Sequence, residues 1–356
     1  NQNSYIDVLF SNDINGFLNC ISNYNTDLTR VNELEIIFNH IDNVQYKITI
    51  NELEKINSYV NFLKENPNNK IISSLIKNIT DSHINYEKNQ FFDDIVISDY
   101  NIKFAQYSKL KLEKTDKDLL SNLSFNDRNE IFIILKDKLI KNLINDENCK
   151  IDLILQSYKK VNNIFNIVKQ EPSYYITIEI HKKTDFKSDK YVLTLLNEIS
   201  TILKIINKTN ILIKKSYKNE VLLKYSQLMF QKDKIYNIFI TRKPISLDIR
   251  GLVHDIPNLY SITDKADGER HLLFIDNKNV LLISSNMDIK HTGIMLNTLK
   301  YHNTVIDGEL LLLNKSHIFM AFDILYLKNK DMREFKSLPH RILLLGEFMN
   351  ECFNMN

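Results

Sequence analysis

Lys265 opens the run Lys265-Ala266-Asp267-Gly268, a KxDG pattern, and Glu269-Arg270 follows at once. A lysine amine attacks phosphorus only when deprotonated, and a free lysine keeps its proton up to a pKa of about 10.4. Neighbouring cations and partial burial would have to lower that value. The Asp-Gly step favours a tight turn, which would present Lys265 from the end of a strand. A polar turn alone also satisfies KxDG. Two further blocks follow in order, however, each after an apolar strand: Asp307-Gly308-Glu309, then Phe322-Asp323-Ile324-Leu325-Tyr326. Glu309 and Asp323 are hard oxygen donors of the kind Mg²⁺ prefers. An Asp set between Phe322 and Ile324 is equally what a strand cap looks like.

A second set of charged residues lies far upstream. Glu33 and Glu35 stand two apart, so a strand would put both carboxylates on one face, with Leu34, Ile36 and Phe38 on the other. Thr177 and Glu179 share a face in the same way, opposite Ile176, Ile178 and Ile180. Lys109, Lys111 and Glu113 align, as do Lys136 and Lys138. If these faces turn inward in a barrel, the lumen holds carboxylates and amines together. Such a lumen is costly unless a metal and a polyphosphate neutralise it. An ExE pair is also common on a solvated strand face. The nine histidines are scattered, with no HxH or HExxH arrangement.

The elements that must hold these groups can be read from periodicity. Period-2 strands are expected at residues 33–38, 101–106, 108–114, 130–140, 150–156 and 174–181. Helices are expected from Asn51, where Asn51 and Glu54 have capping-box spacing, and at residues 189–206 and 219–230. This predicts an α+β chain: an antiparallel barrel or sandwich first, then a linker at residues 241–257, then four strand-like blocks around the KxDG run. The expected domains are residues 1–235 and 236–356. A chain of 356 residues suits two domains, and 44% hydrophobic with 25% charged residues is a globular composition. The net charge of +2 means that any nucleic-acid surface is a local patch or tunnel. Three cysteines far apart, with no CxxC, fit neither a disulfide framework nor a zinc site and suit a reducing compartment. No apolar run reaches the roughly 20 residues that span a bilayer, and no leader opens the chain, so no membrane partner is expected. The chain starts at Asn1 and stops at Asn356 beside an apolar stretch, which reads as a fragment of a larger protein.

The blocks at Lys265, Asp307 and Phe322 resemble motifs I, III and IIIa of the covalent nucleotidyltransferases, the mRNA guanylyltransferases and ATP-dependent polynucleotide ligases. TDKADGER is most similar to the capping enzymes of large DNA viruses of the mimivirus and poxvirus kind. The resemblance implies that Lys265 attacks the α-phosphate of GTP to give a lysyl-GMP intermediate. It implies that Arg270 contacts the ribose, with Asp267, Gly268, Glu309 and Asp323 around the nucleotide or its metal. The family's later motifs do not follow, so the expected second domain is the front half of a guanylyltransferase, unable to transfer GMP by itself.

The upstream pattern resembles the tunnel-fold, metal-dependent RNA triphosphatases that precede the guanylyltransferase in the same viral enzymes. That resemblance implies a triphosphate-tunnel barrel with Glu33, Glu35 and Glu179 holding Mg²⁺ or Mn²⁺. Lys136 and Lys138 would bind phosphate, and Asp152 would support an acidic strand. Thr177 and Tyr175 stand where that family often has glutamates. The implied partners are the 5′-triphosphate end of RNA, GTP, and further domains of the same polypeptide, including a methyltransferase. The implied location is the host cytoplasm, in a viral factory, or the virion. Two other readings stay open: an ATP-dependent polynucleotide ligase, and a degenerate tunnel domain serving as an RNA-binding platform.

Overall fold

The computed structural model describes residues 4–39, 44–65, 84–111, 116, 131–162, 166–182, 189–241, 248–254, 267–314, 316–335 and 337–353. They fall in two compact units, Asn1–Lys208 and Thr209–Asn356.

Unit 1 is built on nine strands: β1 (Ser4–Phe10), β2 (Thr29–Asn39), β3 (Val44–Asn51), β4 (Ile84–Phe91), β5 (Ile95–Ile97), β6 (Ile102–Leu110), β7 (Ile131–Asn145), β8 (Cys149–Val161) and β9 (Ser173–Lys182). Their order is β1-β9-β8-β7-β2-β3-β4-β6-β5, and β1 also pairs with β6. Eight strands therefore close into an antiparallel barrel, with β5 as a short side strand on β6. Closure removes the open edges that an eight-stranded sheet would otherwise expose.

Alternation along each strand splits the residues into an inner and an outer set. The outer set is apolar: Leu34, Ile36, Ile48, Ile50 and Ile133 form one cluster with Ile56 of helix α2 (Leu53–Glu65). Helices α1 (Ile14–Asn23) and α3 (Asp189–Asn207) pack on one another, and α1 also packs on β8 and β9. Burying a side chain such as Ile56 contributes about 1.5–3 kcal/mol. The helices thus sit outside the barrel, and the charged side chains of Glu33, Glu35, Lys47, Glu87 and Lys136 fall on the inner face.

Unit 2 comprises helix α4 (Lys215–Phe230), the short α5 (Ile249–His254), a sheet and helix α6 (Leu338–Phe353). The sheet holds β10 (Glu269–Asp276), β11 (Asn279–Ser284), β12 (Ile289–Met295), β13 (Thr304–Leu313), β14 (Ser316–Leu327) and β15 (Lys330–Asp331) in the order β12-β11-β10-β13-β14-β15. Val221, Tyr225 and Met229 of α4 pack on Leu272, Phe274 and Val305, while Leu345 and Phe348 of α6 pack on Leu273, Ile275 and Ile306. One sheet thus carries a helix on each face. Among the described residues no helix is long and apolar enough to cross a membrane.

Several expectations shift. The boundary falls at Lys208/Thr209 rather than 235/236, because α4 contributes its apolar face to the second sheet. The expected strands at 101–106 and 108–114 are one strand, β6, which ends at Leu110; Lys111 lies beyond it and Glu113 lies outside the described residues. Helix α2 starts at Leu53, and Asn51 belongs to β3. Glu52, at φ 71°, makes the turn between them, and its carbonyl accepts from Ile56 N at 2.9 Å. The capping-box reading of Asn51 is therefore replaced by a left-handed turn at Glu52. The expected linker at 241–257 lies mostly outside the described residues, apart from α5.

Candidate active sites

In unit 1 the register carries one face around the whole barrel. Glu33 stands opposite Lys136 on β7 and Asn51 on β3, and Glu35 opposite Ile134 and Thr49. Lys47 faces Glu87, and Asn89 faces Lys109. Asp7 on β1 faces Glu179 on β9, which in turn faces Asp152 on β8. All of these share the inner face. The expected inward turn of Glu33, Glu35, Glu179, Lys109, Lys136 and Lys138 is therefore how the strands lie.

The inner side chains are ion-paired. Glu35 is buried, with 1% of its side chain exposed, and meets Lys136 Nζ at 2.7 Å and Lys47 Nζ at 3.8 Å. Lys138 pairs with Glu33. Glu87 accepts from Lys109 at 2.5 Å and pairs with Lys47 at 2.8 Å. Burial alone would raise the Glu35 carboxyl, but Lys136, Lys47 and Lys138 outweigh it and hold Glu35 below the usual range. Glu87 behaves alike: burial opposes, and Lys47 with Lys109 brings it down to about 2. The Lys136 amine is lowered by burial, with Lys138 and Lys47 adding to the effect against Glu35.

Asp7 differs. Its carboxyl is pushed up to about 7, first by burial and then by Glu179, while Lys47, Lys136 and Lys138 pull the other way. Barrel closure through β1 and β6 puts Asp7 on the same inner face as Lys47 of β3 and Lys136 and Lys138 of β7. Asp7 Oδ1 and Thr177 Oγ1 are buried without a hydrogen-bond partner.

Two points depart from expectation. Lys136 and Lys138, expected as phosphate binders, engage Glu35 and Glu33, which were expected as metal ligands. Among the described residues no three Asp, Glu, His or Cys side chains converge as an ion cage, so Glu33, Glu35 and Glu179 do not form one here. The donor set still fits Mg²⁺ or Mn²⁺ in kind: hard carboxylate oxygens, with Asp7 Oδ1, Asn89 Oδ1 and Thr177 Oγ1 among the buried oxygens lacking a hydrogen-bond partner. Asp7, Lys47 and Glu87 escaped the sequence reading. Their strands carry the signal, Asp7 alternating with Ile6 and Val8, and Lys47 with Tyr46 and Ile48.

In unit 2 the three sequence blocks converge on β10, β13 and β14. Lys265 lies outside the described residues. Gly268 N donates to Glu309 Oε2 at 3.2 Å. Arg270 stands opposite Glu309 in the ladder and forks onto Asp307, Nε to Oδ1 at 3.0 Å and Nη2 to Oδ2 at 2.7 Å. The Arg270 guanidinium also lies 5.4 Å from the centre of the Phe322 ring. Burial raises the Asp307 carboxyl, with Arg270 opposing. The two motif glycines have steric reasons. A Cβ on Gly308 would come within 2.6 Å of Met320 O and 2.4 Å of the Phe319 ring, at a register shift between β13 and β14; one on Gly268 would come within 2.7 Å of Leu310 O.

Asp323 stands opposite Asp307, the carboxylate that Arg270 grips. Arg341 of α6 takes both of its oxygens, Nε to Oδ1 at 2.6 Å and Nη2 to Oδ2 at 3.1 Å, and both side chains are buried. Its carboxylate ties α6 to the sheet. Asp267 stands beside Gly268 at the start of β10.

A closed antiparallel barrel with helices outside and paired charges inside is a tunnel. No family model matches the chain. The chain is similar to the probable mRNA-capping enzyme of Acanthamoeba polyphaga mimivirus, 28% identical over 210 residues, covering 58% of this chain and 17% of that enzyme. It is also similar to the tRNA(Ile)-lysidine synthase of Mycoplasma mycoides subsp. mycoides SC, 29% identical over 201 residues, covering 52% of this chain and 47% of the synthase. The chain therefore spans less than half the length of either relative. Among solved structures, the RNA triphosphatase domain of the trifunctional mimivirus mRNA capping enzyme aligns with a TM-score of 0.45 at 18% identity, covering 57% of this chain and 89% of that one. A monoclinic form of the mimivirus capping enzyme triphosphatase gives 0.44 at 17%, covering 57% and 90%.

Proposed function

We propose that the barrel removes the γ-phosphate from the 5′-triphosphate end of RNA, as the first step of mRNA capping. The observation that carries this reading is the lumen, where Lys47, Lys109, Lys136 and Lys138 are each held by a carboxylate of Glu33, Glu35 or Glu87. An incoming triphosphate offers the same lysines stronger, multiply charged acceptors. Exchange of Lys136 and Lys138 onto phosphate oxygens orients the chain end and releases Glu33 and Glu35. Those carboxylates and Glu179 would then hold Mg²⁺ or Mn²⁺, which neutralises phosphate charge during displacement by water. The bond from γ-phosphorus to the bridging oxygen breaks, giving inorganic phosphate and RNA with a 5′-diphosphate.

The test is phosphate release from triphosphate-ended RNA. Release should need divalent metal, fall at least 100-fold in Glu35→Ala, and be unchanged in Lys265→Ala, which belongs to the other unit. No release with either Mg²⁺ or Mn²⁺ overturns the reading and favours an RNA-binding platform.

Unit 2 supports a second activity, for which the fork of Arg270 on Asp307 beside Glu309 and Phe322 is the relevant observation. It would be part of a nucleotidyl-transfer site with Lys265 as nucleophile: the amine bonds to the α-phosphorus of GTP, pyrophosphate leaves, and the amine's extra proton passes to solvent. Labelling of the full polypeptide by radiolabelled GTP, lost in Lys265→Ala, tests it. Labelling by ATP instead would make it a polynucleotide ligase.

A further inference from the structure

The two mouths of the barrel differ. Neighbouring strands run in opposite directions, so β1, β2, β4 and β8 finish at the mouth where β3, β7 and β9 begin. One inward position beyond the charged belt, roughly 7 Å along each strand, that mouth turns largely apolar and aromatic. There Asp7 gives way to Leu9, Glu35 to Ile37, Asn89 to Phe91, Lys136 to Ile134 and Thr177 to Tyr175. Tyr158 stands directly opposite Lys136 in the ladder, and its ring lies 5.1 Å from that of Tyr175 at a tilt of 39°. Tyr175 keeps 36% of its surface exposed, so the pair can be reached from outside. Burial, with the Tyr175 hydroxyl next, pushes the Tyr158 hydroxyl up to about 12, which leaves it a neutral phenol. One inward step further, Lys160 holds its Nζ 3.6 Å from the centre of the Phe132 ring. The other mouth carries Asn51, Asp152 and His181 at the matching positions.

We propose that this mouth binds the first nucleoside of the RNA, its base stacked on the Tyr158–Tyr175 pair and the phosphodiester that follows it met by Lys160. Base and phosphates belong to one nucleotide, and Tyr158 and Lys136 face each other across one ladder, so a single nucleotide can engage both. Every base has a flat face, so stacking on tyrosine adds affinity without choosing a sequence. That suits an enzyme whose substrates share only their triphosphate end. The RNA chain then leaves the tunnel by this mouth and not by the polar one. The inference rests on the triphosphatase reading for the identity of the ligand, but its test needs no turnover.

The probe is RNA ending in a non-hydrolysable 5′-(β,γ-methylene)triphosphate with 2-aminopurine as its first base, titrated with the full chain in Mg²⁺. Stacking quenches aminopurine, so its fluorescence should fall severalfold on binding, and far less when the probe base sits at the fifth position. Tyr158→Leu and Tyr175→Leu should each remove most of the quenching and weaken RNA binding at least about fivefold. Their affinity for inorganic tripolyphosphate, read by calorimetry, should stay within about twofold of wild type, because that ligand has no base to stack. Tyr175→Phe keeps the ring and should keep the quenching. Bright aminopurine in the bound wild-type complex overturns the proposal, as does equal quenching at the fifth position or quenching that survives in both leucine variants. Should neither leucine variant fold, wild type with the two probe positions decides. Quenched aminopurine without phosphate release from ordinary triphosphate-ended RNA would sink the triphosphatase reading alone, and release with bright aminopurine would sink this site alone.

Discussion

Replacing Asp323 by Ala should unfold unit 2 early rather than merely silence it. Arg341 is buried, and the substitution removes two of its hydrogen bonds, leaving the one from Nη1 to Phe335 O at 2.8 Å. A buried guanidinium without its carboxylate costs about 3–5 kcal/mol. Loss of the bond from Ile324 N to Asp323 Oδ1 adds to this. For a unit of about 150 residues, each kcal/mol moves the melting temperature by about 2–4 °C, so a fall of roughly 10 °C is expected. Differential scanning calorimetry should show it in the transition of Thr209–Asn356, with the barrel's transition in place. Asp323→Leu combined with Arg341→Met removes both charges and should regain most of the loss. A melting temperature within about 2 °C of wild type in Asp323→Ala would refute the reasoning and return Asp323 to the nucleotide.

Three more outcomes follow from the same structure. Gly308→Ala should destabilise unit 2 by more than about 2 kcal/mol, because its Cβ meets the backbone oxygen of Met320, and urea unfolding would show it. Glu87 is ionised more easily in the folded barrel than in the unfolded chain. Its contribution is therefore present above pH 4.5 and lost as pH falls toward 2, about 2 kcal/mol after allowing for partial exposure, and Glu87→Gln should flatten that acid limb. Asp7 has the opposite sign: folded, it holds its proton up to about pH 7 amid Glu179, Lys47, Lys136 and Lys138, so stability falls as pH rises from about 4 to 7. Metal-free Asp7→Asn should accordingly melt higher than wild type at pH 8 and level with it at pH 4.

What could be read from the residues alone had local causes. The blocks around Lys265, Asp307 and Phe322 stand out because they bind their own neighbourhood. Gly268 and Gly308 are required by backbone oxygens a strand away, and Arg270, Asp307 and Glu309 meet across one ladder. Glu33 and Glu35 were legible because Leu34 and Ile36 alternate with them in a long strand. Asp7, Lys47 and Glu87 sit on strands of seven or eight residues whose polar positions look like any solvated face. Only barrel closure through β1 and β6 tells which face is enclosed. The domain boundary was hidden for a similar reason. Val221, Tyr225 and Met229 mark the apolar face of α4, but periodicity does not say which sheet it covers. Nor does FDILY reveal Arg341, which comes from a helix that begins more than ten residues later.

The two units place charge inside protein for different ends, and exposure separates them. Arg341 and Asp323 keep 3% and 9% of their side chains exposed, so neither can leave without stranding the other. The lumen lysines retain 13–33%. Partial solvent contact lowers the cost of breaking a pair, because a lysine moving from one anion to another stays hydrated on the way. A barrel needing rigidity alone would do better with apolar residues at Glu35 and Lys136, since exchanging a buried pair for well-packed hydrophobic groups is often neutral or stabilising. That argument has a measurable form. Glu35→Leu with Lys136→Met should leave the barrel at least as stable as wild type while abolishing phosphate release. A double variant that melts well below wild type would mean instead that the lumen's ion pairs hold the barrel together.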